Sequence, residues 1–373
     1  MRGNGDLGAG FPAGGFPESG TPQLAALAEN ISLPFADYLL GGAFDQKAVA
    51  ESRLLAIFEH RERLAALSLL NQLGFSYAVL KGVGVGCRYY PEPWMRDVSD
   101  IDILVHEADL GAVVDALVGQ GFHFEGQPRS RWGFISPASF QPFFSPDGRV
   151  NFDLHIYGDD YPVYRSLTTE ILMADSIRVD DQGVAFAVPR PEHMLILAAT
   201  HAARDQFGPL TVRNIIDTML ILIASQSSPD DALDWGLITD LATRGGFQRP
   251  LRLFLALVAT LGGGDFGMPG LYSAPFAGRT KETLFGVSLG AFDRVVRQFR
   301  FQDDFQSGGA DNAAAVAHPA GVPGHSLATG ELVLREILLT SSGKIFLHKN
   351  LRRLRGLLHA DEGLPKTTNS PEN

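Results

Sequence analysis

Two aspartates one residue apart, Asp100 and Asp102, sit in the run Val98-Ser-Asp-Ile-Asp-Ile-Leu-Val105. In a strand, residues two apart project from one face. Both carboxylates would therefore point one way while Ile101, Ile103 and Val105 point toward a core. Like charges this close repel unless a cation lies between them, and carboxylate oxygens are the donors a hard cation such as Mg²⁺ takes. On their own, two such acids read first as a solvated pair on a sheet edge, and the metal reading rests on what lies around them. A second run, Val150-Asn-Phe-Asp-Leu-His-Ile-Tyr157, repeats the alternation, with Asn151, Asp153 and His155 opposite Phe152, Leu154 and Ile156. Paired beside the first strand, it supplies a third carboxylate, Asp153. Upstream, Lys81-Gly82 follows the short apolar run Ser76 to Leu80 and precedes a short helix over Val83 to Tyr90, so an ammonium and a helix start face the same end of a sheet. Three acids for metal and a Lys-Gly turn for phosphate make a nucleotide-handling layout. In the loop before the acids, Arg96 and Ser99 are further candidates for phosphate contact, Arg96 equally for a tie to Asp97 or Asp100.

The elements that must position these groups follow from periodicity and breakers. Ala48 to Leu73 carries Leu54, Leu55, Phe58, Leu64, Leu69 and Leu70 at helical spacing, and Gly74 ends the helix. Pro91 and Pro93 mark the stretch to Ser99 as a loop, and Ala108 to Gly119 reads as a helix closed by Gly121. Strands follow from Phe122, including Arg149 to Tyr157 after the turn Pro146-Asp147-Gly148. Near Pro189 the pattern becomes helical, with stripes over Met194 to Ala203, Ile215 to Ala224, Leu233 to Thr243 and Leu251 to Leu261. The expected organisation is a disordered tail over 1–23, a catalytic domain over 24–188, a helical domain over 189–305, a flexible linker over 306–329, and C-terminal helices and a tail over 330–373.

Composition limits the partners. The chain has 373 residues, a formal net charge of −11, 45% apolar residues and one cysteine. An apolar fraction this high builds a sizeable core, and the excess of acid disfavours a protein that neutralises duplex nucleic acid over a broad surface. Cys87 has no second cysteine to pair with and reads as a packing residue. With no apolar stretch long enough to span a membrane and a Gly/Pro-rich start unlike a signal peptide, the expectation is a soluble, cytoplasmic protein. The basic stretch Lys344 to Arg355 reads as the solvated face of a helix.

The series Leu80-Lys81-Gly82, Arg96-x-x-Ser99-Asp100-Ile101-Asp102-Ile103-Leu104-Val105 and Phe152-Asp153-Leu154-His155 resembles the uncharacterised nucleotidyltransferase family of the DNA polymerase β-like superfamily, over roughly residues 50–260. The resemblance implies an α+β fold: a polymerase β-like mixed sheet with flanking helices, followed by an α-helical domain. It implies transfer of a nucleoside monophosphate from an NTP donor, with ATP the expected one, to a hydroxyl of a small molecule, peptide or protein. Asp100 and Asp102 would bridge two Mg²⁺ ions, with Mn²⁺ an alternative, and Asp153 would complete the metal site; Lys81, Gly82, Ser99 and Arg96 would serve the nucleotide. The spacing of His201 and Asp217 resembles a feature of the same family, and the residues themselves suggest a hydrogen bond joining two helices. Better-studied relatives carry a Gly-Ser turn where this chain has Lys81-Gly82, which motivates the alternative of a catalytically degenerate nucleotide-binding or regulatory protein.

Overall fold

The sheet is mixed because its middle strands each pair with one parallel and one antiparallel neighbour. In the computed structural model, which describes residues 21–29, 31–124, 139–140, 142–205, 207, 211–273, 343–348 and 351, seven strands run in the order β3-β4-β5-β2-β1-β7-β6. They are β1 (Ala78–Val79), β2 (Ile101–Leu104), β3 (His123–Phe124), β4 (Phe143–Phe144), β5 (Asn151–His155), β6 (Ile177–Asp181) and β7 (Val184–Val188). β1 pairs antiparallel with β2 and parallel with β7, while β2 and β5 are parallel. The expected disordered tail over 1–23 lies outside the described residues up to residue 20 and is corrected over 21–23, which are already helical; residues 274–305 of the expected helical domain, the linker over 306–329 and most of 330–373 also lie outside the described residues.

Helices α1 (Thr21–Glu29), α2 (Leu33–Leu39), α3 (Gln46–Leu73), α4 (Val83–Tyr89), α5 (Leu110–Gly119) and α6 (Thr169–Ala174) flank the sheet in sequence; α7 (Pro191–Arg204), α8 (Thr211–Ser227), α9 (Trp235–Gly245), α10 (Gln248–Gly262) and α11 (Gly270–Ser273) follow it. α3 begins where the Asp45 carboxylate accepts from Lys47 N and ends at Gly74, whose φ of 78° is the left-handed conformation that favours glycine. A helix of 28 residues is about 42 Å long, longer than these strands. Its second half is the more covered: besides Val49 near the start, Leu64, Leu67 and Leu70 are buried, each worth about 1.5–3 kcal/mol, and Asn71 donates to Ala185 O of β7 at 2.9 Å. The expected stripe is therefore corrected at its start, where Leu54, Leu55 and Phe58 are exposed. The sequence also left unnoticed the β6–β7 hairpin, which turns through Gln182 and Gly183 at φ of 52° and 85°.

One continuous core runs from Leu24 to Tyr272 and joins the sheet to the helices after it. Pro191 occupies the first turn of α7, where its missing N–H costs nothing. Glu192 beside it is buried, held by Arg190 at 2.8 Å and by Asp234 N at 2.9 Å.

His193 is fully buried, neither ring nitrogen is hydrogen-bonded, and its nearest carboxylate, on Asp175, is 3.8 Å away. Burial pushes its pKa down to about 4, only partly opposed by Asp175. Between that value and the ordinary 6.5, the unfolded chain binds a proton that the folded chain does not, so stability falls with falling pH. Urea denaturation is expected to show a loss of about 3 kcal/mol between neutral pH and pH near 4 from this residue. His193→Leu should flatten that part of the profile; an unchanged profile would remove His193 as its source.

Candidate active site

β1 ends by handing the chain to Lys81 and Gly82. Gly82 has φ of 43°, and a Cβ there would meet Val98 Cγ1 at 3.2 Å, so the turn favours glycine on both counts. α4 then lies tight on the sheet: a Cβ on Gly84 would come within 2.9 Å of Val188 Cγ1 and 3.1 Å of Val79 O. Gly84, which lowers helix propensity, is what permits this helix to sit where it does.

The loop leading to the acids is tied from several sides. Ser32 Oγ donates to Met95 O at 2.5 Å, the Arg53 guanidinium lies over the Trp94 ring at 5.1 Å, Arg63 donates to Val98 O, and Arg213 donates to Asp97. Arg96 is buried, and its Nε and Nη2 both donate at 2.8 Å to the two oxygens of Asp217 on α8, while Tyr90 donates to Asp217 at 2.9 Å. Its Nη1 donates to Asp97 O. The bidentate pair anchors the loop on α8, and Asp217 is thereby partnered with Arg96, not with His201 as the sequence suggested.

The register of the parallel pair places Asp102 directly beside Asp153 and Leu104 beside His155. Ile101, Ile103, Val105, Phe152 and Leu154 are buried on the opposite side, as the alternation implied. Asp102 is buried too, at 8% exposure, because the sheet is covered on both faces. Its Oδ1 accepts from Lys81 Nζ at 3.0 Å and from His155 Nε2 at 3.0 Å. His155 Nε2 also lies 3.2 Å from Asp153 Oδ2. Asp100 precedes the strand and accepts from Ser99 Oγ at 3.0 Å. Ser99 thus touches an acid directly.

These acids differ in charge state. Burial alone would raise the Asp102 pKa, but Lys81 and His155 hold it well below the ordinary carboxylate range. Asp100 is raised, by burial and by the charge on Asp102, against the opposing effects of Lys81 and the Ser99 hydroxyl. Burial disfavours the His155 imidazolium, yet Asp153 and Asp102 outweigh it and lift its pKa to about 9. His155 and Lys81 are therefore two built-in cations among three acids.

Helix α7 closes over this group. Lys81 Nζ is 3.5 Å from His201 Nδ1, and Arg204 Nη2 donates to the same nitrogen at 2.6 Å. That nitrogen therefore carries no proton, and His201 Nε2 faces Asp205 at 3.2 Å. Burial and the Lys81 charge lower the His201 pKa in agreement. Arg204 Nη1 also donates at 3.0 Å to Asp159, which accepts from Thr200 Oγ1 at 2.5 Å. Asp159, Thr200 and Arg204 were missed from the sequence. The available signal was the spacing of Thr200, His201 and Arg204, which places Thr200 and Arg204, four apart, on one face.

The donor set fits a hard divalent cation. Asp153 Oδ1 is buried and has no hydrogen-bond partner, an acceptor left open beside Asp102, and carboxylate oxygens of Asp102 and Asp153 lie within 4.8 Å of each other. Among the described residues, no helix is long and apolar enough to cross a membrane. A family model described as uncharacterised nucleotidyltransferase matches residues 46–263, more than half of the chain. No curated protein and no solved structure matches. The matched span contains the Lys81-Gly82 turn, all three acids and helices α7 to α10, and its mixed sheet with flanking helices is the polymerase β-like α+β arrangement. The chain belongs to the uncharacterised nucleotidyltransferase family.

Proposed function

We propose that the chain is a Mg²⁺-dependent nucleotidyltransferase that moves a nucleoside monophosphate, AMP from ATP, to a hydroxyl on a small molecule, peptide or protein. The observation that carries this reading is the side-by-side register of Asp102 and Asp153 on parallel strands, with Asp100 leading into the first. Asp100, Asp102 and Asp153 would hold the metal, two ions in the full arrangement. When bound, Mg²⁺ polarises the phosphoryl oxygens and offsets charge developing at phosphorus. Asp153 Oδ1, open in the structure, is the atom suited to take the proton from the acceptor hydroxyl. Lys81 is held against Asp102 here, and its ammonium is the group suited to swing to a phosphate oxygen when a cation takes its place. Ser99 orients Asp100, Gly82 shapes the turn, and Arg96 acts by anchoring the loop. The domain limits read from the sequence, 24–188 and 189–305, belong to the same proposal.

A second reading, nucleotide binding without turnover, is favoured by the same Lys81 contact at 3.0 Å and by His155 bridging Asp102 and Asp153. ATP labelled at the α-phosphate, with Mg²⁺ and a panel of hydroxyl acceptors, separates the two. Transfer of label supports the enzyme; calorimetric binding of ATP without transfer supports the second reading; no binding removes both. Lys81→Met is expected to tighten Mn²⁺ binding about tenfold, since an internal competitor worth at least 1.4 kcal/mol is gone, and to weaken ATP by about the same factor. Mn²⁺ titration followed by electron paramagnetic resonance checks the first effect. Unchanged Mn²⁺ affinity would show that Lys81 does not compete with metal.

A further inference from the structure

A separate group of ligand-type side chains lies where α3, α4 and β6 meet. His60 Nε2 is 2.6 Å from Asp181 Oδ2, Cys87 Sγ is 3.3 Å from the same oxygen, and the three donor atoms lie within 4.8 Å of one another. None of these residues belongs to the acid cluster, and 121 positions separate His60 from Asp181, so only the fold gathers them. We propose that His60, Cys87 and Asp181 form a second metal site, for a borderline-soft divalent cation of the Zn²⁺ class.

The donor chemistry selects that class. Thiolate sulfur, imidazole nitrogen and carboxylate oxygen together are the ligand set of zinc-type ions, whereas Mg²⁺ takes oxygen alone. Two polar hydrogens, from the imidazole and the thiol, converge on one carboxylate oxygen, and a cation at that meeting point replaces both. The thiol is otherwise badly placed: it is largely buried beside a carboxylate, which together push its pKa up, so only a small fraction is thiolate until a cation binds. Binding is an exchange without redox change. Cys87 loses its S–H proton to solvent as sulfur binds the ion, and the imidazole proton moves from Nε2 to Nδ1 as Nε2 binds. Three protein ligands leave further coordination positions for solvent. The support is rigid: His60 sits mid-way along α3, and Asp181 ends β6 at its hairpin, paired with Val184. Cys87 packs against the core as its sequence setting suggested, and its thiol adds the polar contact to Asp181. Because α4 follows directly on Gly82, an ion here ties the phosphate-side turn to α3 and to the β6–β7 hairpin.

Titration of the full-length chain with Co²⁺, the spectroscopic substitute for Zn²⁺, tests the site. The expected result is a sulfur-to-cobalt charge-transfer band saturating at one equivalent and displaced by Zn²⁺. The chain has one cysteine, so any thiolate band reports Cys87, and the wild-type spectrum decides even if Cys87→Ser does not fold. An Asp100→Asn/Asp153→Asn chain should retain the band, since it has lost only acids of the other cluster, while Cys87→Ser and His60→Gln should lose or shift it. In parallel, Zn²⁺ should slow alkylation of Cys87 about tenfold or more, reversed by chelator, because only the free thiolate is the nucleophile. Absence of a thiolate band at excess Co²⁺, or alkylation indifferent to Zn²⁺, overturns the proposal and leaves a hydrogen-bonded triad.

Discussion

Asp100→Asn is expected to lower nucleotidyl transfer by at least about a hundredfold, the scale on which losing one fixed electrostatic partner of a transition state acts, while leaving the fold as stable as before or slightly more so. The asymmetry follows from the surroundings of each acid. Asp100 is raised by burial and by the neighbouring charge of Asp102, so its ionised form is a cost to the folded chain, and its one side-chain contact, from Ser99 Oγ, is equally available to an asparagine oxygen. Asp102 is different. It is the shared acceptor for Lys81 and His155, and Asp102→Asn leaves two buried cations with a weaker partner, so stability and activity fall together. Asp153→Asn lies between, since it keeps the open Oδ1 position but loses the charge facing His155. Measured transfer of α-labelled ATP, set beside thermal melting of the three variants, checks the pattern. An Asp100→Asn chain that transfers at the wild-type rate would remove Asp100 from the metal site.

Asp217→Ala is expected to cost about 3–5 kcal/mol of folding stability. Arg96 and Asp217 are both buried, the pair is bidentate at 2.8 Å on both arms, and Tyr90 donates to the same carboxylate. Removing the acid takes the acceptor from Arg96 Nε and Nη2 and from the buried Tyr90 hydroxyl, leaving the guanidinium only its Nη1 contact with Asp97 O. The pair Arg96→Met with Asp217→Leu, which removes both charges and refills the space, should recover most of that loss. Urea denaturation of the single and double variants measures the difference; a single variant within about 1 kcal/mol of wild type would mean that the pair is not structurally important. Because the pair anchors the loop that delivers Asp100, the single variant should also lose transfer even under conditions where it is folded.

Much of this was readable from local pattern. The alternation in Val98 to Val105 and in Val150 to Tyr157 assigned both strands and both faces, because a two-residue period leaves few other arrangements that bury Ile101, Ile103, Phe152 and Leu154 together. The four helices after Pro191 followed from apolar stripes in the same way. Where local reasoning went astray, the deciding factor was a contact between distant segments. Leu54 and Leu55 keep a helical stripe's spacing, yet the sheet does not extend beneath them. Arg96 has the type and position of a phosphate ligand, and it is a partner on α8, 121 residues away, that makes it an anchor.

The sequence by itself determined the chemistry on offer: three carboxylates on strand faces, a lysine and glycine at a strand end, and the order of motifs that marks the family. Tertiary structure decided how those charges are balanced. Spacing along a chain specifies which face a side chain takes, but not what stands opposite it across a sheet or beneath a helix. Only the pairing of β2 with β5 beside the turn that follows β1 brought Lys81 and His155 onto Asp102 and left Asp153 Oδ1 open, and only the meeting of α3, α4 and β6 gathered His60, Cys87 and Asp181 into one place.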